Sequence, residues 1–370
     1  MLATLKNILL NSKGFKSKRK IVVIESDDWG ALRMPSKAAY NSMLQVGIPV
    51  NQCGYSTYDS LETVTDLQAI FEMFESLKTK NHSHPVITAN TIVANPDYRK
   101  IKDDNFETYH FETIEKTFND RQGGLQTLAL IKEGMERKFY FPQLHGREHV
   151  FINNWMSHLK AGDTATRVAF DNDVFGLSVT LSKEQRKSYL SALDFHDESE
   201  LVAHEQILKD AQQTFQNLFG FSSESFIAPN YTWHPKHEPM LKNIGVKYIQ
   251  GGRAQKSPTP DGYTTIKHYM GEQNKLGQHY IIRNASFEPS TRKSIHWHKK
   301  IMQEAKCAFL IGAPLVISTH RVNFMGGIVE QNRTQNIALF KKIMQDIIKQ
   351  YPDVEFMTSV QLGKLMSKNN

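Results

Sequence analysis

Lys20–Gly30 reads KIVVIESDDWG. A run of β-branched residues, Ile21 to Ile24, predicts a strand over Lys20 to Glu25 that is buried on both faces, as in a parallel sheet covered by helices. Working outward, short apolar runs alternate with amphipathic stretches. Strands are predicted over Pro85 to Val93, Phe139 to Leu144, Ser225 to Ala228, Val246 to Gln250, Tyr280 to Arg283, Leu315 to Ser318 and Val354 to Met357. Leu67, Ile70, Phe71, Phe74 and Leu77 recur at helical spacing and predict a helix over Thr63 to Lys80. Further helices are predicted over about Gly123 to Arg137, Glu198 to Phe219 with a stop at Gly220, and Asn332 to Gln350. Strand, helix, strand recurring over the whole chain predicts an α/β fold, an irregular (β/α)7-type barrel with insertions. A doubly wound open sheet is the alternative. The expectation is one domain over 1–370, with an insertion or lid at about 150–200, where polar segments such as AFDNDVFG break the pattern.

Composition narrows the setting. The 370 residues are 40% hydrophobic and 22% charged, with a net charge of +7. A basic balance suits an anionic partner, but Lys13 to Lys20 is the one dense basic run, and it reads as a solvated approach to the first strand. No nucleic-acid partner is expected. Two distant cysteines, Cys53 and Cys307, make neither a disulfide framework nor a thiolate zinc site. Lys6 and Asn7 interrupt the apolar amino terminus, which has no signal-peptide core. No stretch is long enough to span a bilayer. A cytoplasmic protein is expected, with a first helix resting on a membrane surface as the minority reading.

Three polar clusters fall just past predicted strands, where parallel barrels carry their chemistry, and a fourth segment forms a turn after another strand. Asp27 and Asp28 are adjacent carboxylates at a strand end, costly unless neutralised; a turn with an Asp helix cap is the bland alternative. His145 and His149, in H-G-R-E-H, are spaced to face the same side of a helical turn and converge on a metal, although with 15 histidines such spacing also arises by chance. His320, in S-T-H-R, is a core histidine or a general acid. Asn230, Tyr231 and Trp233 follow Pro229 in a turn, where the two rings serve packing or stack on sugars.

Taken together and in this order, the clusters resemble the polysaccharide deacetylases, the family 4 carbohydrate esterases, from Lys20 onward. The resemblance implies a metal-dependent N-deacetylase of an amino sugar or polysaccharide precursor. It implies Asp27 as base, Asp28, His145 and His149 as ligands of a divalent transition metal, zinc by default, and His320 as acid. A backbone N–H near Asn230 would steady the oxyanion, and Tyr231 and Trp233 would meet the substrate. The sequence departs from the pattern in several places: Asn230 stands where the family has Tyr after Pro, and the segment between the first two strands and residues 150–200 exceed the minimal barrel. Trp29 follows the aspartate pair where the family has Gly, and Ile227 and Ala228 stand where the family has a base-orienting Arg. Arg33, Arg147 and Arg321 are the candidates to replace that guanidinium. A glycoside hydrolase on a related barrel and a non-catalytic glycan-binding protein are the other readings.

Overall fold

The computed structural model describes Ile8 and residues 11–80, 83–182 and 186–368. The amino-terminal segment considered for a membrane surface lies mostly outside these residues. Among the described residues no helix is long and apolar enough to cross a membrane.

The opening run forms β1 (Ile21–Trp29), and all nine of its residues are buried. The strand outruns the apolar stretch because its polar end pairs on both sides, Ser26 with Ala89 and Thr319, and Asp27 with His320. On one side of β1 lie, each parallel to the last, β2 (Ile87–Thr91), β3 (Tyr140–Leu144), β4 (Ser225–Ile227), β5 (Tyr248–Gly251) and β6 (His279–Ile282). Further along the chain β7 (Ala285–Phe287) pairs with β8 (Leu315–His320), which flanks β1 on its other side. A last short strand, β9 (Glu355–Met357), pairs with the start of β1.

β6 and β7 are two halves of one extended stretch, parted only by Arg283 and Asn284. Arg283 donates its backbone N–H to Gly251 O of β5 at 2.9 Å, while the next N–H, from Asn284, goes to Val316 O of β8 at 3.1 Å. The Asn284 side-chain oxygen accepts from Val316 N at 2.9 Å. One stretch of chain therefore joins the two ends of the sheet. Counting it once, and setting aside the short β9, seven strands ring the barrel among the described residues. Each strand lies beside its predecessor in the chain, whereas a doubly wound sheet reverses its strand order.

Alternation along β1 divides the core. Val22 and Ile24 pack with Leu67, Phe71, Ile301 and Phe340 of the surrounding helices, while Ile21 and Val23 pack with Ile249, Ile281, Val316 and Leu362. The helix Val64–Glu75 starts at a capping box between Thr63 and Asp66, and Leu201–Phe219 ends at Gly220, whose φ of 80° suits glycine. Residues 150–200 hold the helices Ile152–Lys160 and Thr164–Phe170. Their apolar side chains are buried in two clusters, Trp155 and Phe170 with Ile101 and Phe106, and Val174, Leu177 and Leu181 with Met34, Tyr40 and Met43. An antiparallel pair, Ala254–Thr259 with Gly262–Lys267, was not foreseen.

Candidate metal centre and catalytic cavity

In a regular strand Asp27 and Asp28 would point to opposite faces. Here the register with β2 shifts between Ser26 and Trp29, and Asp28 takes a left-handed φ of 72°. That irregularity turns both carboxylates into one cavity of about 500 Å³, at the carboxyl ends of the strands. Gly30, at φ 80°, follows at once, and a Cβ there would come within 2.8 Å of Ile92 O.

His145 follows β3 directly. Residues 145–149 are not helical, which corrects the helical-turn reading of the two histidines. Gly146, at φ 108°, bends the chain, and Arg147 O accepts from the backbone N–H groups of both Val93 and Ala94. The two imidazoles meet all the same, with ring centres 5.1 Å apart. Nε2 of each lies 3.3 Å from Asp28 Oδ1. One ligand atom from each of Asp28, His145 and His149 falls within 4.8 Å of the others, and all three side chains are buried.

The protonation state of this trio tests whether a cation fits. His145 Nδ1 lies 2.9 Å from Ile227 O, a carbonyl that can only accept, so Nδ1 carries a proton and Nε2 is the nitrogen turned towards Asp28. Burial pushes the His149 pKa down to about 3, against the pull of Asp28, which favours the neutral ring there. Among the described residues, Asp28 Oδ1 and His149 Nδ1 are buried without a hydrogen-bond partner. A buried carboxylate oxygen with two imidazole nitrogens converging on it suits a cation, and an O,N,N set is what zinc and its first-row neighbours take.

Asp27 is gripped from below. Arg283 Nη1 and Nη2 each donate to one of its oxygens at 2.6 Å, and Asn90 Nδ2 donates at 2.8 Å. Burial raises the Asp27 pKa, but the Arg283 guanidinium outweighs it and takes the carboxyl down to about 2. Nε of Arg283 binds Glu25 at 2.6 Å, and Glu25 in turn accepts from Ser359 Oγ at 2.6 Å. The orienting guanidinium is therefore Arg283, which none of the three sequence candidates anticipated. Arg147 is bound to Glu148 and Asp210, and Arg321 to Asp59 and Glu62. Arg33 reaches the cavity but approaches Asp28, at 3.7 Å, rather than Asp27. The signal for Arg283 was a lone charge at the end of the predicted strand Tyr280 to Arg283.

His320 ends β8. Its Nδ1 donates to Glu288 Oε1 at 2.7 Å, and Nε2 lies 3.8 Å from Asp27 Oδ2. Burial opposes protonation of His320, but Glu288 holds its pKa well above the usual imidazole value. Glu288, steadied by Asn323 Nδ2 at 2.8 Å, also went unnoticed in the sequence, three positions before Thr291 on the far side of β7.

The Pro229 turn divides the three proposed substrate contacts. Asn230 and Tyr231 line the cavity, both with left-handed φ near 55°. The N–H groups of Tyr231 and Thr232 are used within the turn, on Ala228 O and Pro229 O, which leaves that of Asn230 as the turn's candidate oxyanion donor. The Tyr231 hydroxyl accepts from Arg283 at 3.0 Å. Trp233 does not reach the cavity. Its backbone N–H donates to Lys256 O, and its side chain is 1% exposed, packed in the core against His268. A sugar-stacking role for Trp233 is withdrawn.

No family model matches this sequence, and no curated protein matches it. Solved structures do resemble it. A putative polysaccharide deacetylase from Mycobacterium smegmatis shares 9% identity, over 97% of this chain and 94% of that one, with a TM-score of 0.44. A probable polysaccharide deacetylase from Pseudomonas aeruginosa PAO1 shares 9% identity over 95% and 93%, with a TM-score of 0.45. Polysaccharide deacetylases are thus among the structures this chain resembles. So is a 4-alpha-glucanotransferase from Thermococcus litoralis, at 8% identity and a TM-score of 0.45 over 94% of this chain; the chain spans 40% of that enzyme's length. At TM-scores below 0.5 these likenesses carry no functional weight; what the chain can do is read from the cavity itself.

Proposed function

We propose that this protein is a metal-dependent hydrolase that removes the acetyl group from an N-acetylated sugar. The observation that carries the reading is the convergence of Asp28, His145 and His149 within 4.8 Å, with Asp27 and His320 beside them. A divalent transition metal held by Asp28, His145 and His149, zinc by default, would supply Lewis acidity to the amide carbonyl and to water. Asp27, kept ionised and oriented by Arg283 and Asn90, accepts the proton of the attacking water. The N–H of Asn230 supports the developing oxyanion. His320, charged beside Glu288, gives its proton to the departing amine. Water and amide become acetate and amine, and the two protonation states are restored by exchange with solvent.

The carboxylates suit amide hydrolysis better than glycoside hydrolysis. A glycosidase needs one protonated and one ionised carboxyl bracketing the bond. Here Asp27 is held ionised by Arg283 and Glu288 is engaged with His320 Nδ1, so neither stands free to serve as the second carboxyl. The test is to incubate metal-loaded protein with a panel of N-acetylated mono- and oligosaccharides, measuring acetate and new reducing ends separately. Acetate without reducing ends, abolished by a chelator, is the expected result. Reducing ends without acetate would replace the reading with a glycosidase, and neither product with a glycan-binding protein.

A further inference from the structure

The cavity holds more positive charge than the chemistry above uses. Its acids are all occupied: Asp27 by Arg283, Glu288 by His320, and Asp28 by the histidine pair and the cation it would share with them. Three cations in the lining have no such role. Arg33 is 7% exposed, yet among the described residues its guanidinium donates no hydrogen bond, and its nearest acid, Asp28, is 3.7 Å away. A buried guanidinium left without hydrogen bonds is costly. Packing nevertheless holds it in place: the Tyr55 ring centre lies 5.2 Å to one side, and on the other a Cβ on Gly176 would come within 3.2 Å of its Nε. Lys256 and Arg292, both exposed on the cavity wall, have no acidic partner within 4 Å among the described residues.

A fixed guanidinium with unused donors is the usual receptor for an oxyanion, because its planar fork matches carboxylate and phosphate oxygens. The geometry points to an anionic substrate: an N-acetylated sugar carrying a carboxylate or phosphate group, which Arg33 binds inside the cavity and Lys256 and Arg292 attract at its wall. This rests on the reading of the cavity as a substrate site. Arg33 selects the substrate, whereas Asp27 and His320 act on the amide.

The test is equilibrium binding by calorimetry to the metal-loaded protein, alongside acetate release. The probes are N-acetylglucosamine, N-acetylglucosamine 6-phosphate and N-acetylmuramic acid. At least one anionic sugar is expected to bind tenfold or more tighter than the neutral one, and which of the two does so separates phosphate from carboxylate. Arg33→Met should reduce that preference to about one. Because Arg33 is buried, the exposed double substitution Lys256→Ala with Arg292→Ala provides a second reading, with a preference reduced severalfold. Equal binding of all three sugars would overturn the inference, as would a preference unchanged in both variants. Acetate released equally well from neutral and anionic sugars would sink it while leaving the deacetylase reading intact. A charge preference that depends on Arg33, with no acetate from any sugar, would uphold it and remove the deacetylase reading.

Discussion

Replacing Arg283 by Met would strip the barrel interior of its central cation. The guanidinium donates twice to Asp27 and once to Glu25, each at 2.6 Å, and once to the Tyr231 hydroxyl at 3.0 Å. Both carboxylates are buried, at 3% and 0% exposure. Removing one partner of a buried ion pair costs about 3–5 kcal/mol, because the other charge stays behind uncompensated. Asp27 keeps Asn90 and Glu25 keeps Ser359, so neither acid is left bare, and the lower half of that range is expected. Adding Glu25→Gln to Arg283→Met removes one of the stranded charges and should recover about 1–2 kcal/mol. The assay is urea unfolding of metal-loaded protein followed by tryptophan fluorescence, with the midpoint moving at constant slope. A loss under about 1 kcal/mol, or a double variant weaker than the single one, would refute the claim that Arg283 is the counter-ion of both acids.

His320→Ala should lower the rate of acetate release by about 10²–10⁴-fold, and Glu288→Gln should lower it less, with metal content unchanged in both. Trp233→Ala should cost about 3–5 kcal/mol of stability, read by urea unfolding; weaker sugar binding without that loss would return Trp233 to the cavity. Burial, outweighing Glu200 and Asp194, lowers His204 to about 4, and its Nδ1 lies 2.9 Å from His237 Nε2. The unfolded chain then binds the extra proton first, so stability is lost as pH falls from about 6.5 towards 4, by about 2 kcal/mol at pH 5. His204→Leu should lose less stability between pH 7 and pH 5 than the parent; an equal loss would contradict this.

The barrel was legible because each strand is an apolar run with a marked end. KIVVIE, FYFPQL ahead of His145 and PLVI ahead of Ser318 all became strands, with ends within a few residues of expectation. Helix limits such as Gly220 were equally plain. Asp27, Asp28, His145 and His320 were legible because they sit at or beside those ends, whereas Glu288, just past β7, was not. Arg283 was not, since it meets Asp27 only through the split stretch of β6 and β7, and no local pattern shows which neighbours such a stretch will take. His145 and His149 converge by way of a bend at Gly146 that the spacing alone mistook for a helical turn. Trp233 misled because an aromatic beside a turn looks the same in sequence whether it faces a ligand or the core. The Ala254–Thr259 strand runs beside it, its Lys256 O accepting from the Trp233 backbone N–H.

The central claim is that Asp28, His145 and His149 hold a catalytic cation. Elemental analysis of the purified protein after zinc loading and exhaustive dialysis tests it most directly, with His145→Ala and His149→Ala prepared in parallel. The account predicts stoichiometric metal in the parent and its loss in both variants, each still folded by circular dichroism. Equal metal in all three, or none in the parent, would contradict it.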